Sequence, residues 1–375
     1  MPRRILIAPD KFKGSLTALE AAQAMAEGVR DIEPDAEIDL CPIADGGEGF
    51  MEALQPALDG RWVDTPAVDA RGRPISSRYL LADTEDGPVA VIEMAATAGI
   101  ARLAGNERDP LTATTRGVGM QVADAVGKHG VTRIVLGLGG SATNDGGCGL
   151  AAALGVRFLD ADGKEVDPIP AHLGRVTRID DSQRPELPPV TVACDVDNPL
   201  LGPRGATAVF SPQKGATPAD QQILEAALTR LVELADAEKA ATTAGAGAAG
   251  GLGFGLLHFA QAKLVPGFDL LADLLDFDQR IAKADLILTG EGSLDAQSLG
   301  GKGPVALARR AAGIPVLAFC GAADDAIRSS GLFTHIGALA DSGKALDELI
   351  RCAAPLLREQ VRAFLSRPSE DSSPS

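Results

Sequence analysis

Residues 4–30, RILIAPDKFKGSLTALEAAQAMAEGVR, set the fold class. RILIA is a short apolar run of the kind that forms a buried strand, PDKFKGS is a polar loop, and an Ala-rich helix follows from Ala18. Thr17 and Glu20 make a T-x-x-E capping box, in which each side chain satisfies an orphan amide of the first helical turn. Strand, loop and helix repeat at once: AEIDLCPIAD (36–45) reads as a strand, and GGEG opens a helix over Phe50 to Leu58.

The texture changes between Gly60 and Leu103. Short strands alternate there with the turn signals Arg71-Gly72 and Asp86-Gly87, which reads as an antiparallel or mixed sheet and the start of another domain. A helix over 115–127 delivers the chain to the strand VTRIVLGL (131–138), and PVTVACDV (189–196) precedes an amphipathic helix near 218–235. The tract GAGAAGGLGFG (245–255) is too apolar for a linker and predicts close packing. Strand and helix alternation returns from ADLILTG (284–290) through IPVLAFCG (314–321) to HIGAL (335–339), and RPSEDSSPS (367–375) reads as a disordered tail.

Composition fits an α/β protein of two domains: 375 residues, 45% hydrophobic but only 3% aromatic, so the cores are aliphatic. A formal charge of −16 and a pI near 4.7 speak against nucleic acid or an anionic membrane, both of which need a basic footprint. Five scattered cysteines without a C-x-x-C pair and four histidines without ligand spacing argue against zinc. The odd cysteine count, and an N-terminal apolar run too short for a secretory signal, lead to the expectation of a cytoplasmic protein.

Four predicted strand ends share one design, in which an apolar strand runs into small residues carrying a carboxylate, amide or hydroxyl. They are IADGGEG (43–49), LGGSATNDGG (138–147), ACDVDNP (193–199) and LTGEGSLD (288–295). In an open α/β sheet this edge binds ligands, and glycine lets backbone amides approach phosphate oxygens. No G-x-x-x-x-G-K-[ST] loop, HRD or DFG set, in-frame G-x-G-x-x-G or G-x-S-x-G elbow occurs. If phosphate binds here, the loop is of its own type.

PDKFKGSL (9–16), PIADGGEG (42–49), GGSATNDGG (139–147), ACDVDNPL (193–200), PQKGA (212–216), GGLGFG (250–255) and TGEGSLDAQSLGGKGP (289–304) resemble, in order, the signature segments of type-1 glycerate kinases. Ser211 departs from the glycine usual before PQKGA. The resemblance implies two α/β domains with the active site in the cleft between them. One, expected over 1–60 plus 284–366 and 112–150, is a discontinuous flavodoxin-like doubly wound parallel sheet; the other, over 61–111 plus 151–283, is an inserted mixed-sheet domain. It also implies ATP, Mg²⁺ and D-glycerate, with the 2-hydroxyl as acceptor. The expected partner is that small molecule, with a homodimer as the candidate assembly.

Phosphoryl transfer needs charge neutralisation and in-line placement more than covalent help. Gly139, Gly140, Ser141 and Thr143 are therefore candidates for the nucleotide phosphate cradle, with Asn144 and Asp145 orienting the metal; a helix N-cap is the bland alternative. Gly290, Glu291, Gly292 and Ser293 form a second candidate cradle, within reach of Lys302. Asp45, Asp195 and Asp295 are candidate Mg²⁺ ligands, Asp195 is first choice for the base, and Asp45 and Asp295 equally suit helix caps. Lys11, as a catalytic cation, and Lys13, with Ser15, Arg71 and Asp45, are candidates for contacting the transferring phosphate and the glycerate carboxylate; Lys214 is similar. Two rivals remain open: a kinase for another small hydroxy acid, or one giving 3-phosphoglycerate; and a non-catalytic metabolite sensor on the same fold.

Overall fold

The computed structural model describes residues 2–44, 46–47, 49–296, 298–301, 303–311 and 313–367. Apart from Arg367, the expected tail falls outside these. The chain divides into two compact units, one of Met1–Ala44, Glu52–Ala57 and Leu271–Ser375, the other of Asp45–Met51 and Leu58–Leu270.

In the first unit the strands Arg4–Ile7, Glu37–Leu40, Leu286–Thr289, Val316–Cys320 and His335–Ala338 all run parallel. Their spatial order is second, first, third, fourth, fifth. This is the flavodoxin-like order, and its switch point lies between the first and third strands. Helix Ala18–Arg30 starts on the expected capping box: the Thr17 hydroxyl accepts from the Glu20 amide, and Glu20 Oε2 accepts from the Thr17 amide at 2.8 Å. Its buried face, with Met25 and Val29, packs on Leu357 and Val361 of helix Ala353–Leu365 and on Ile5, Leu288 and Phe319 of the sheet. Gly28 sets the closeness of that helix pair, since a Cβ there would lie 2.6 Å from the Arg358 carbonyl oxygen.

The second unit is built on a six-stranded sheet whose spatial order follows the chain: Arg61–Val68, Pro74–Thr84, Gly87–Glu93, Arg133–Gly137, Val190–Ala193 and Lys263–Val265. The first three pair antiparallel and the last four parallel, so the sheet is mixed as expected. The boundaries differ from those expected: 45–51, 58–60 and 112–150 fall in the second unit, and 271–283 in the first. Residues 112–150 had been grouped with the flavodoxin-like sheet, yet Arg133–Gly137 pairs with Gly87–Glu93 and Val190–Ala193. Helix Arg116–His129 is the crossover that makes the first of those pairs parallel. An apolar strand with a preceding helix has the same periodicity whichever parallel sheet it joins, so the pattern cannot choose.

The close packing foreseen for 245–255 is present. Helix Ala248–Phe259 opens on three left-handed residues, Ala249, Gly250 and Gly251, and Gly146 donates its amide to the Gly250 carbonyl. Phe254 and Phe259 enter a core with Phe158, Leu228 and Leu231.

Two helical glycines give opposite expectations. Gly127, exposed with nothing within 4 Å of its Cβ position, should stabilise the fold by about 0.5–1 kcal/mol as Gly127→Ala. Gly28→Ala must displace the Arg358 carbonyl and should destabilise by about 1–3 kcal/mol. Urea midpoints of the two variants should move in opposite directions.

Candidate functional site

At the switch point of the first unit, two loops are zipped together by backbone. Asp10 donates its amide to the Gly290 carbonyl, Gly292 donates to the Lys11 carbonyl, and the Thr289 hydroxyl donates to the Ala8 carbonyl at 2.7 Å. Lys11 is half-buried and Lys13 exposed on this edge. The Lys11 amide donates to Asp10 Oδ1 at 2.6 Å. The carboxylate of Asp10, 7% exposed, also faces the start of helix Gly303–Arg310, with Oδ2 3.4 Å from the Gly303 Cβ position. Negative charge is favourable at a helix N-terminus, so Asp10 complements that end from within the chain.

Several candidates of this unit have structural work. A Cβ at buried Gly290 would sit 1.7 Å from the Phe319 carbonyl, so glycine is required there for packing, whatever binds. Half-buried Glu291 accepts from the Ser298 hydroxyl, and the Ser298 amide donates to Asp295 Oδ1 while the Ser298 hydroxyl receives the Asp295 amide, a capping exchange around Ser298–Gly300. Ser15, expected to touch substrate, donates its hydroxyl to the Ile350 carbonyl at 2.9 Å. Lys302 lies outside the described residues.

In the second unit, three of the four strand-end loops meet at the carboxyl ends of the parallel strands. The Gly46–Gly47 backbone crosses that edge: the Gly139 amide donates to the Gly46 carbonyl, and Cβ atoms at Gly137 and Gly139 would lie 2.3 Å from the Gly46 oxygen and 2.4 Å from the Gly47 Cα. A Cβ at Gly46 would in turn lie 2.4 Å from that of Ala193, two residues before Asp195. Asp45 is outside the described residues, though its neighbour Gly46 lies on this edge. Glu93, which the sequence reading passed over, closes its strand here; it is 5% exposed and accepts the Met51 amide at 2.7 Å. A carboxylate ending a buried apolar strand (GPVAVIE) was the available signal.

Asp195 is half-buried, and its Oδ1 accepts the Gly267 amide at 2.8 Å at the start of helix Gly267–Leu274. The loop after Gly137 is held by Ile100 donating to the Gly140 carbonyl and Ala142 donating to the Ala98 carbonyl. Gly140 is exposed with φ 74°, and among the described residues no acceptor takes the Gly140 or Ser141 amide protons. Such paired amides next to a left-handed glycine suit an anion.

Thr143 differs from expectation: it is fully buried, and its hydroxyl donates to the Ala249 carbonyl. Asp145 is also buried, and its carboxylate holds backbone. Its Oδ2 accepts the Thr115 amide, the Thr115 hydroxyl and the Gly149 amide, and its Oδ1 accepts the Gly147 amide. Burial pushes its carboxyl up and these donors pull it back. Arg71 is engaged as well, donating to the Glu107 carbonyl and pairing with Asp109 at 3.6 Å. Lys214, a candidate for contacting phosphate or carboxylate, is 1% exposed.

Oxygen-rich chemistry at this edge fits Mg²⁺, which takes one or two carboxylates and completes its shell with substrate phosphates and water. Among the described residues no three His, Cys, Asp or Glu side chains form a metal cage, and no helix is long and apolar enough to cross a membrane. Burial pushes the Cys41 and Cys320 thiols up to about 12, which leaves them unreactive near neutrality.

Two α/β units with acids, lysines and open amides at the carboxyl ends of parallel strands, without a P-loop, describe a small-molecule phosphotransferase of a separate type. The chain matches the model of the glycerate kinase family over residues 5–367. It is 43% identical over 326 residues to a glycerate kinase of Bacillus subtilis, spanning 85% of each chain, and 39% identical over 367 residues to the glycerate 2-kinase of Escherichia coli, spanning 93% of this chain and 94% of that one. A crystal structure assigned to a glycerate kinase 2 of Salmonella typhimurium LT2 superposes with a TM-score of 0.85 at 38% identity, covering 98% of both chains. The chain belongs to the glycerate kinase family. It is a kinase, with ATP as phosphoryl donor.

Two outcomes test this electrostatic reading. Asp145→Asn replaces one acceptor oxygen by a donor facing amides, and should destabilise by about 2–5 kcal/mol with an early thermal transition, since each orphaned buried donor costs roughly 1–3 kcal/mol. Burial pulls the Lys214 ammonium from its ordinary 10.5 down to about 7, against the opposing pull of Asp145. Between those values the unfolded chain binds the extra proton, so this group's contribution to stability rises with pH from about 7 upward. The urea midpoint should therefore climb less between pH 7 and 9 in Lys214→Met than in the native protein.

Proposed function

We propose that the chain transfers the γ-phosphoryl group of ATP to the 2-hydroxyl of D-glycerate, giving 2-phosphoglycerate and ADP. The observation that carries this reading is the Gly46–Gly47 backbone lying on Gly137 and Gly139, which gathers an anion-ready loop and carboxylates on one sheet edge. In this reading Gly140 and Ser141 hold nucleotide phosphates through backbone amides, Gly139 lets the Gly46–Gly47 backbone close on the loop, and buried Thr143 anchors it. Asp195 takes the proton from the acceptor hydroxyl as the new oxygen–phosphorus bond forms and the bond to the ADP oxygen breaks. The Gly267 amide orients that carboxylate.

Lys11 and Lys13, on the carboxyl edge of the first unit, remain candidate cations for an anionic ligand. Asp195 and Asp45 are the carboxylates that would hold Mg²⁺, which when bound would add neutralisation of the phosphates. A helix terminus contributes only about 0.3–1 kcal/mol to a bound anion, so lysines and metal carry most of the neutralisation. Ser15, Arg71 and Asp295 are left out because their polar atoms already serve internal contacts.

Incubation with ATP, Mg²⁺ and D-glycerate, followed by ³¹P NMR of the phosphoglycerate isomers, should show 2-phosphoglycerate. The 3-isomer would move the acceptor; turnover only with another hydroxy acid would overturn the substrate. Asp195→Asn keeps an oxygen for the Gly267 amide, so it should fold normally while kcat falls by about 10²–10⁴-fold, the range for loss of a positioned base. Unchanged kcat would remove Asp195 from the chemistry.

A further inference from the structure

Lys214 lies on the short turn Pro212–Lys214 that follows helix Ala206–Phe210, and its side chain runs inward. Its Nζ donates to the Thr143 carbonyl at 2.6 Å. The same carbonyl is pressed by Gly250, where a Cβ would lie 1.9 Å from that oxygen. The Thr143 hydroxyl reaches the Ala249 carbonyl, and Ala249, Gly250 and Gly251 hold φ values of 54°, 70° and 86°. A left-handed alanine costs of order 1–3 kcal/mol and persists only where the surroundings enforce it. The Thr143 peptide is thus gripped by a lysine and by a strained backbone corner.

Packing alone does not explain the lysine. A buried ammonium is costly, and an apolar side chain of equal length would fill the space more cheaply. Asp145, the acid that acts on this ammonium, is two residues beyond Thr143, but its oxygens are occupied by Thr115, Gly147 and Gly149. Around this turn the Ser211 hydroxyl donates to the Thr207 carbonyl, Gln221 donates to Ser211 and Asn144 donates to the Thr207 hydroxyl, while the exposed Arg108 guanidinium, also a cation, donates to the Gln213 carbonyl. The ammonium's hydrogen bond therefore goes to a backbone carbonyl two residues from Ser141, with Asp145 acting on it electrostatically.

We propose that Lys214 is a positioning residue for the anion-binding loop, fixing the Thr143 peptide so that the Gly140 and Ser141 amides stay aimed at phosphate. It acts through the loop and touches no substrate. The proposal rests on the reading of Gly139–Ser141 as the nucleotide cradle.

The test combines hydrogen exchange over residues 139–147, the Kd for ADP with Mg²⁺, and steady-state kinetics in Lys214→Met. Exchange there should quicken and nucleotide affinity fall by about 10- to 100-fold, the usual effect of removing a supporting group, while the KM for glycerate holds. Should the Met variant fail to fold, Gly250→Ala presses the same carbonyl from the other side with the ammonium intact and should give the same pattern. Faster exchange with a glycerate defect in place of the nucleotide defect would support the positioning role and overturn the nucleotide assignment of the loop. Unchanged local exchange with native nucleotide affinity, or a lowered melting temperature alone, would overturn the proposal.

Discussion

The approach of one backbone to another at the carboxyl edge of the mixed sheet is the constraint on which the second unit's chemistry depends. Gly46 and Gly47 lie so close to Gly137, Gly139 and Ala193 that no side chain fits between them. Removing the side chains lets the loop cross two strand ends directly, and brings the segments before Asp195 and around Ser141 to one place. A bulkier residue at any of these positions would lift the loop from the sheet edge. The glycines here act by close approach as much as by turning.

Charge inside this unit is used to hold backbone as well as to bind anions. Asp145 gathers donors from the start of helix Arg116–His129 and from the helix at Cys148–Ala153, and Lys214 holds the adjoining peptide. In water such contacts would contribute little; with both groups buried, leaving either unpartnered would be far more costly than a lost surface pair. Surface pairs such as Arg358 with Asp31 add little by comparison, because solvent screens them.

Much of this was legible in the sequence. The Thr17–Glu20 box, the turns at Gly72 and Gly87, the mixed sheet and the dense packing near Gly250 follow from local rules, since caps, turns and alternation are determined by neighbouring residues. Assignment of 112–150 to a sheet was not legible, because parallel partners are chosen by long-range packing. Site residues failed for a related reason. Ser15, Thr143, Asp145 and Lys214 have side chains suited to ligands, and only tertiary structure reveals that backbone groups have already taken them. Glu93 was missed in the opposite sense, as a charge at the end of an apolar run.

The most direct test of the account is a crystal structure with a non-hydrolysable ATP analogue, Mg²⁺ and D-glycerate. Phosphate oxygens against the Gly140 and Ser141 amides, with the glycerate 2-oxygen within about 3 Å of Asp195, is the predicted arrangement. A nucleotide seated elsewhere, for instance in the groove of about 790 Å³ bordered by Gly202, Gln221 and Glu225, would contradict it.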